Sequence, residues 1–195
     1  MAGAVRVLIT GAGGFVGRHL VRRLLSEDAA LGQPLERLIL IDRQFDGGEA
    51  DGRVDRYEGS ITDARLLRRA LAGGVDVVFH LASVPGGLAE REYELGRQVN
   101  LDATLQFLEQ LREQRQRRPP SVVFSSSVAV YGEPLPAVVD DSTLPRPTLT
   151  YGAHKLIGES WSPISAAGAG STAWRCGCPA SWPDRPNPPA SCPRS

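Results

Sequence analysis

The sequence has no surplus of charge and no long apolar run. Its 22 Lys and Arg residues balance 22 Asp and Glu residues, so it lacks the basic excess typical of general nucleic-acid binders. The longest apolar runs, at residues 5–9 and 75–79, are far too short to cross a bilayer. The N-terminus shows no secretory segment with a cleavage site. We therefore expect a cytoplasmic protein that binds neither nucleic acid nor membrane.

Cysteine and tryptophan are absent from the first 160 residues. All three Cys and all three Trp lie in residues 161–195, which also contain seven Pro but no Leu, Val or Phe. Such a composition disfavours a strand or a core helix. Cys176 and Cys178 lack partner ligands, so no metal site is predicted. We expect residues 1–159 to form the domain and residues 160–195 to form an irregular, disordered tail.

Within residues 1–159, short apolar runs alternate with segments of helical periodicity. The runs predict strands at 5–10, 38–42, 54–58, 75–81 and 122–125. Helical spacing predicts helices between them, including one from about residue 92 to Pro119 and one that begins at Tyr151. Strands that alternate with helices form a parallel sheet covered on both faces. The predicted fold class is α/β, a doubly wound, Rossmann-like parallel sheet.

A glycine-rich turn at residues 10–17 joins the first strand to the first helix. Gly11, Gly14 and Gly17 permit a sharp turn and let the backbone approach a pyrophosphate, which the helix N-terminus attracts. A turn without a ligand is the alternative, but the strand before it and the helix after it favour phosphate binding. A P-loop is excluded because no Lys-Ser or Lys-Thr pair follows the glycines.

Asp42 ends the second predicted strand. At that position a carboxylate can accept hydrogen bonds from the ribose hydroxyls of adenosine, and it would repel a 2′-phosphate. This favours NAD over NADP as cofactor. A strand-end Asp in an ordinary turn is the alternative, and the adjacent Arg43 could accept a 2′-phosphate.

Tyr151 and Lys155 stand four residues apart on the last predicted helix and therefore share one face. A nearby ammonium favours the phenolate form of tyrosine, which can then act as an acid or base. The spacing alone is common, but Lys155 is the only lysine in a chain whose other basic residues are all arginine. That choice indicates a site that needs an ammonium. A solvated lysine on a helix face is the alternative.

Three serines, Ser125, Ser126 and Ser127, follow the fifth predicted strand at the edge where open α/β sheets bind ligands. A hydroxyl there could orient a substrate oxygen, although serines also simply end strands. His80 falls within the fourth strand and is predicted to be packed rather than catalytic. A Ser-His-Asp hydrolase is disfavoured because the sequence has no Gly-x-Ser-x-Gly motif.

Together these residues resemble the extended short-chain dehydrogenase/reductase family, of the NAD-dependent epimerase/dehydratase type, over about residues 4–159. The glycine pattern, Asp42, an H-x-A motif at 80–82 and the run 125–132 carry the resemblance. It implies that Ser127, Tyr151 and Lys155 are catalytic. The NAD-binding residues that it implies are Gly11, Gly14, Phe15, Val16, Gly17, Asp42, Ile61, Asp63, Leu81, Ala82, Ser83, Asn100, Tyr151 and Lys155. The first carboxylate of the family's D-x-x-D motif is missing, because Ser60 stands there.

Within the family, residues 93–96, 99–102 and 138–141 resemble members that oxidise the C2 hydroxyl of a four-carbon sugar acid with NAD. The resemblance implies that Tyr151 accepts the hydroxyl proton, Lys155 holds the phenolate and the nicotinamide ribose, and Ser127 positions the substrate oxygen. Family dehydratases carry an Asp-Glu pair where this sequence has Val128 and Ala129, which disfavours dehydration. The alternatives are a nucleotide-sugar 4-epimerase, which uses the same residues, and a non-catalytic NAD-binding module.

The resemblance ends at Glu159, whereas family members continue into a substrate-binding lobe. The composition of the tail is what GC-rich codons give when translated out of frame. We therefore expect a frameshifted or prematurely ended product whose sheet is incomplete at its C-terminal side. Such a chain would bind NAD weakly and have no turnover. The resemblance also implies a homodimer formed through the helix after the fourth strand and the Tyr-Lys helix.

Overall fold

A computed structural model describes residues 3–27, 31–47, 51–113, 120–140, 142–167 and 173–176, with side chains through Trp161. The strands are β1 (Val5–Thr10), β2 (Leu35–Asp42), β3 (Val54–Glu58), β4 (Val77–His80), β5 (Ser121–Ser125) and β6 (Ala173–Cys176). They form one sheet in the order β3-β2-β1-β4-β5-β6, and every pair is parallel. The predicted doubly wound, Rossmann-like sheet is confirmed.

Six α-helices connect the strands in the described part of the chain. They are α1 (Phe15–Ser26), α2 (Ala64–Leu71), α3 (Gly86–Arg91), α4 (Tyr93–Arg97), α5 (Ala103–Glu113) and α6 (Thr150–Ala167). A π-helical segment (Gln98–Asp102) joins α4 to α5, and a 3₁₀ helix (Val128–Tyr131) follows β5. Within the described residues, no helix combines the length and the apolar character needed to span a membrane.

Apolar side chains cover both faces of the sheet. Alternation along β1 sends Val7 and Ile9 to one face and Leu8 to the other, and all three are fully buried. On the first face the cluster includes Leu24 of α1. On the second face α2 and α5 supply buried leucines together with Phe107. A parallel sheet buried on both faces requires this near-continuous apolar sequence in its central strands.

The long helix predicted from about residue 92 is interrupted in the structure. It consists of α4, the π-helical segment and α5, and α3 precedes it as a separate helix that sequence periodicity did not predict. The π-helical segment contains the buried Asn100. Such a segment inserts an extra residue into a helix and commonly marks a functional position. The remainder of the predicted helix, residues 114–119, lies outside the described residues.

The predicted irregular tail differs from the structure at two places. Helix α6 continues beyond residue 159 to Ala167, and Ala173–Cys176 forms β6 beside β5, with Val122 opposite Ala173. The tail contains no Leu, Val or Phe that could enter a core, but a parallel edge strand pairs through backbone groups. The predicted disorder of residues 168–172 and 177–195 lies outside the described residues.

The buried ring of Phe107 provides a test of the second core. This side chain is fully buried and stacks on His80 with 5.1 Å between ring centroids. We expect Phe107→Ala to lower the free energy of unfolding by about 3–5 kcal/mol in urea denaturation, because it leaves a cavity. Phe15→Ala is the control, since Phe15 is 78% exposed and should change stability by less than about 0.5 kcal/mol. Equal effects of the two substitutions would contradict this packing.

Candidate active site

The glycine-rich turn brings three backbone segments into close contact. Gly11 has a φ of 73°, which favours glycine, and a Cβ built there would lie 2.7 Å from the amide nitrogen of Ala82. A Cβ on Gly17 would lie 2.7 Å from the Cα of Ala12. Gly14 is the N-cap residue of α1 and supplies no side-chain hydrogen bond to the helix. The amide groups in the first turn of α1 thus receive no side-chain cap from Gly14, which leaves them able to bind an anion.

Asp42 is held against this turn by two backbone amides. Its Oδ2 accepts a hydrogen bond from the Gly13 amide at 2.8 Å, and its Oδ1 accepts one from the Arg43 amide at 2.6 Å. A Cβ on Gly13 would lie 2.7 Å from the carbonyl oxygen of Gln44 and 3.2 Å from the Asp42 carboxyl carbon. Gly13 therefore permits the approach of Asp42 to the glycine turn, a role that the G-x-x-G-x-x-G spacing alone did not predict.

Phe15 and Val16 lie in the first turn of α1, and their side chains are exposed by 78% and 60%. Leu24, further along the same helix, is buried in the core. Phe15 and Val16 therefore lie outside the core. Their implied cofactor contact stays a prediction.

The loop after β4 is held by Asn100. This side chain is 2% exposed; its Oδ1 accepts a hydrogen bond from the Val84 amide at 2.7 Å, and its Nδ2 donates to the Val84 carbonyl at 3.0 Å. The Ser83 hydroxyl also donates to Asn100 Oδ1, at 3.1 Å. Leu81 and Ala82 precede Ser83 in the same loop and are half-buried. Asn100 thus positions the backbone that faces the glycine turn.

His80 is buried in the core, as the sequence predicts. Its two ring nitrogens contact the end of β1 and the start of α5. Its Nδ1 lies 2.7 Å from the Thr10 hydroxyl and its Nε2 lies 3.1 Å from the Thr104 hydroxyl. The Thr10 hydroxyl also accepts a hydrogen bond from the Ala82 amide at 3.3 Å. Burial lowers the pKa of His80 to about 3, so the imidazole is neutral at pH 7.

Ile61 and Asp63, the implied adenine-side residues, both have structural contacts. Ile61 is buried in the core cluster of α2 and α5. Asp63 is the N-cap of α2, where its Oδ1 accepts hydrogen bonds from the amides of Arg65 at 2.8 Å and Leu66 at 3.3 Å. Capping of α2 explains an acidic residue at position 63 independently of any cofactor.

Lys155 is buried beside the end of β5. Its side chain is 3% exposed, and its Nζ donates a hydrogen bond to the Ser125 carbonyl at 2.8 Å. The same Nζ lies 5.0 Å from the ring centroid of Phe124 and 5.8 Å from that of Tyr151. Burial lowers the pKa of Lys155 to about 8. The structure therefore brings the ammonium beneath the half-buried Tyr151 ring, as the four-residue spacing predicts.

The three serines after β5 have three different environments. Ser125 offers its carbonyl to Lys155, and the Ser126 hydroxyl donates a hydrogen bond to the Glu159 carboxylate on α6. Ser127 is buried and is the N-cap residue of the 3₁₀ helix, where its Oγ accepts from the Ala129 amide at 3.2 Å. The predicted catalytic hydroxyl thus follows directly after two residues that fasten β5 to α6.

Sequence reasoning missed Glu90 of α3. Its Oε1 accepts hydrogen bonds from the Tyr151 amide at 2.7 Å and from the Thr150 hydroxyl at 2.9 Å. A Cβ on Gly86, at the start of the same helix, would lie 3.0 Å from Cδ1 of the Tyr151 ring. These contacts join segments 61 residues apart, and α3 shows no periodicity that would have indicated them.

The buried ammonium gives a prediction for stability against pH. The pKa of lysine in an unfolded chain is about 10.4. Because the folded pKa of Lys155 is lower, at about 8, unfolding takes up a proton between these values, and stability rises with pH across that interval. We expect this rise between pH 8 and 10 in urea denaturation of the wild type. Lys155→Met should lack it, and identical pH profiles for the two proteins would contradict the burial of the charge.

A comparison with protein families matches residues 7–174 to the NAD dependent epimerase/dehydratase family. The match passes the limit at Glu159 that the motifs predicted, and it includes the start of β6. The chain is 45% identical over 159 residues to D-erythronate dehydrogenase from Cupriavidus necator, which covers 80% of this chain and 48% of that protein. The chain thus spans about half the length of the curated relatives it matches.

Solved structures share the fold. The nucleoside-diphosphate-sugar epimerase from Agrobacterium tumefaciens superposes with a TM-score of 0.83 at 31% identity, over 94% of this chain and 56% of that chain. MoeE5, in complex with UDP-glucuronic acid and NAD, gives a TM-score of 0.69 at 29% identity, over 87% of this chain and 53% of that chain. Since the family match covers most of its length and the fold is shared, the chain belongs to the NAD dependent epimerase/dehydratase family.

Proposed function

We propose that the chain binds NAD at the carboxyl ends of β1, β2 and β4. The glycine turn would hold the pyrophosphate, because backbone amides and the α1 N-terminus face that edge of the sheet. Asp42, fixed by the amides of Gly13 and Arg43, would accept the adenosine ribose hydroxyls. The loop that Asn100 positions would face the nicotinamide half. The family description and the NAD found in MoeE5 support this cofactor.

We further propose that the site oxidises the C2 hydroxyl of a sugar acid of the D-erythronate type. The observation that carries this proposal is the buried Lys155 ammonium beneath Tyr151, in a chain 45% identical to a D-erythronate dehydrogenase. Tyr151, as phenolate, accepts the hydroxyl proton, and Lys155 stabilises the phenolate charge. Ser127 orients the substrate oxygen. NAD, when bound, supplies the hydride acceptor.

A nucleotide-sugar 4-epimerase is the second candidate. It is favoured by the structural similarity to the nucleoside-diphosphate-sugar epimerase from Agrobacterium tumefaciens, at a TM-score of 0.83. The same Tyr151 and Lys155 would act in that reaction. The substrate that the chain converts therefore distinguishes the dehydrogenase from the epimerase. Net NADH formation with D-erythronate identifies the dehydrogenase, whereas interconversion of UDP-glucose and UDP-galactose without net NADH identifies the epimerase.

Cofactor binding and turnover are tested separately, because the chain spans about half the length of its relatives. Calorimetric titration with NAD measures the first, and NADH absorbance with D-erythronate measures the second. Binding without turnover would support the non-catalytic NAD-binding module instead of the enzyme. The homodimer and the cytoplasmic location expected from the sequence stay predictions. So do the weak NAD binding and the absent turnover expected of a frameshifted or prematurely ended product.

Tyr151→Phe separates a chemical role from a binding role. The substitution removes only the hydroxyl, so the turnover of D-erythronate should fall by at least about a hundredfold, the usual contribution of a general acid or base. The dissociation constant for NAD should change by less than about threefold, since the ring and Lys155 remain. Retention of turnover in this variant would contradict Tyr151 as proton acceptor.

Asp42→Asn tests the choice between NAD and NADP. The amide keeps the size of the side chain but removes the charge that would repel a 2′-phosphate. We expect the ratio of NADP affinity to NAD affinity to rise at least about tenfold, as for removal of one close like-charge contact. Asp46→Asn, at an exposed position nearby, is the charge control and should leave the ratio unchanged. An unchanged ratio in Asp42→Asn would contradict the ribose-binding role.

A further inference from the structure

We propose that Glu90 is a positioning residue that fixes Tyr151 through hydrogen bonds to the first turn of α6. This inference rests on the proposed function for its kinetic consequence but not for its structural test. Glu90 lies on α3 and is half-buried. One of its oxygens, Oε1, accepts from both the Tyr151 amide and the Thr150 hydroxyl. The carboxylate therefore caps α6 from another helix.

The residue that caps α6 comes from a distant part of the chain. Helices generally receive their N-terminal cap from the residue that directly precedes them, whose side chain reaches back to the free amides of the first turn. Here the cap residue stands 61 positions earlier in the chain than Tyr151. A negative charge at a helix N-terminus is also favourable to the helix dipole. Glu90 thus ties the position of Tyr151 to the position of α3.

Helix α3 contacts Tyr151 at a second point. Gly86 packs so closely against the Tyr151 ring that a Cβ there would lie 3.0 Å from Cδ1 and 3.3 Å from Cγ. The backbone of Tyr151 is held by Glu90 at one end of α3, and its ring rests on Gly86 at the other end. Both the amide and the ring are therefore located by the same short helix.

Helix α3 itself begins at the loop that Asn100 holds. The amides of Leu88 and Ala89 both donate to the Pro85 carbonyl at 2.9 Å, and Pro85, the residue after Val84, is the N-cap of α3. Asn100 binds both backbone groups of Val84. Helix α3 thus connects the β4 loop, which Asn100 holds, to Tyr151, the residue proposed to accept the proton.

The buried side chain of His154 forms no hydrogen bond with the Glu90 carboxylate and so does not compete with Tyr151 for it. Its Nδ1 has no hydrogen-bond partner within the described residues. Burial, the largest influence, lowers the pKa of His154, against the opposing charges of Glu90 and Asp102 and with the help of Arg97. Burial thus disfavours the charged imidazole, and the hydrogen bonds described for Glu90 go to α6.

The test compares substitutions that separate reach from charge. Glu90→Gln keeps the length and an acceptor oxygen but loses the charge, whereas Glu90→Asp keeps the charge but loses the reach. Glu90→Ala loses both. In amide hydrogen exchange followed by NMR on the full 195-residue chain, the Tyr151 amide should exchange at least about tenfold faster in the Asp and Ala variants, because it loses its acceptor. The Gln variant should stay close to wild type.

The control is Glu94→Gln, which removes an exposed charge on the adjacent helix α4, where Glu94 lies 3.9 Å from Arg97. Tyr151 exchange should not change in that variant. If Glu90→Ala fails to fold, the comparison of the Gln and Asp variants still decides the matter. Fast exchange in Gln with slow exchange in Asp would overturn the proposal in favour of a charge effect. Unchanged exchange in the Asp variant would overturn it outright.

The kinetic measurement follows from the same geometry. With D-erythronate as substrate, kcat should fall about tenfold to a hundredfold in the Asp and Ala variants, the usual result of a small displacement of a reacting group. The dissociation constant for NAD should remain within about twofold, and the Gln variant should retain most of kcat. If wild type binds NAD but does not oxidise D-erythronate, the proposed dehydrogenase activity fails, while Tyr151 exchange still tests the positioning by Glu90.

Discussion

The hydrogen bond from the Lys155 ammonium to the Ser125 carbonyl is the interaction on which the site depends. An ammonium that is 3% exposed has lost most of its hydration, so it requires nearby acceptors and a position that the fold determines. The Ser125 carbonyl supplies one acceptor, because β5 ends beside α6. The Ser126 hydroxyl and Glu159 fasten the same two elements one turn further along. The charge is thereby held under Tyr151 at the edge of the sheet formed by the carboxyl ends of the strands.

The rest of the edge is assembled by close backbone contacts. Gly11 lets the glycine turn approach the loop after β4, and Gly17 lets α1 pack against that turn. The Thr10 hydroxyl connects the loop after β4 to His80. Asn100, buried within a π-helical segment, fixes Val84. Because of these contacts, one half of this edge of the sheet presents backbone amides and the other half presents Tyr151 and Lys155. That division is suited to a dinucleotide and a hydroxyl-bearing substrate.

Much of the fold could be predicted because its signals are local. The β1 bounds were predicted in full, and the four-residue spacing correctly placed Tyr151 and Lys155 on one face. Contacts between distant segments could not be predicted in this way. Glu90 forms a hydrogen bond with Tyr151, 61 residues later in the chain. The long helix is interrupted by the π-helical segment that contains Asn100, and helical periodicity does not reveal that interruption. Strand β6 was missed because its pairing with β5 uses backbone groups, which composition does not reveal.

Lys155 is a buried ammonium that loses its proton with a pKa of about 8. Because Lys155 is the only lysine in the chain, ¹³C labelling of lysine at Cε gives a single side-chain resonance to titrate by NMR. We expect a midpoint at a pKa of about 8. A midpoint at about 10.4, the value of an exposed lysine, would contradict the burial of the ammonium and with it the proposed arrangement of the site.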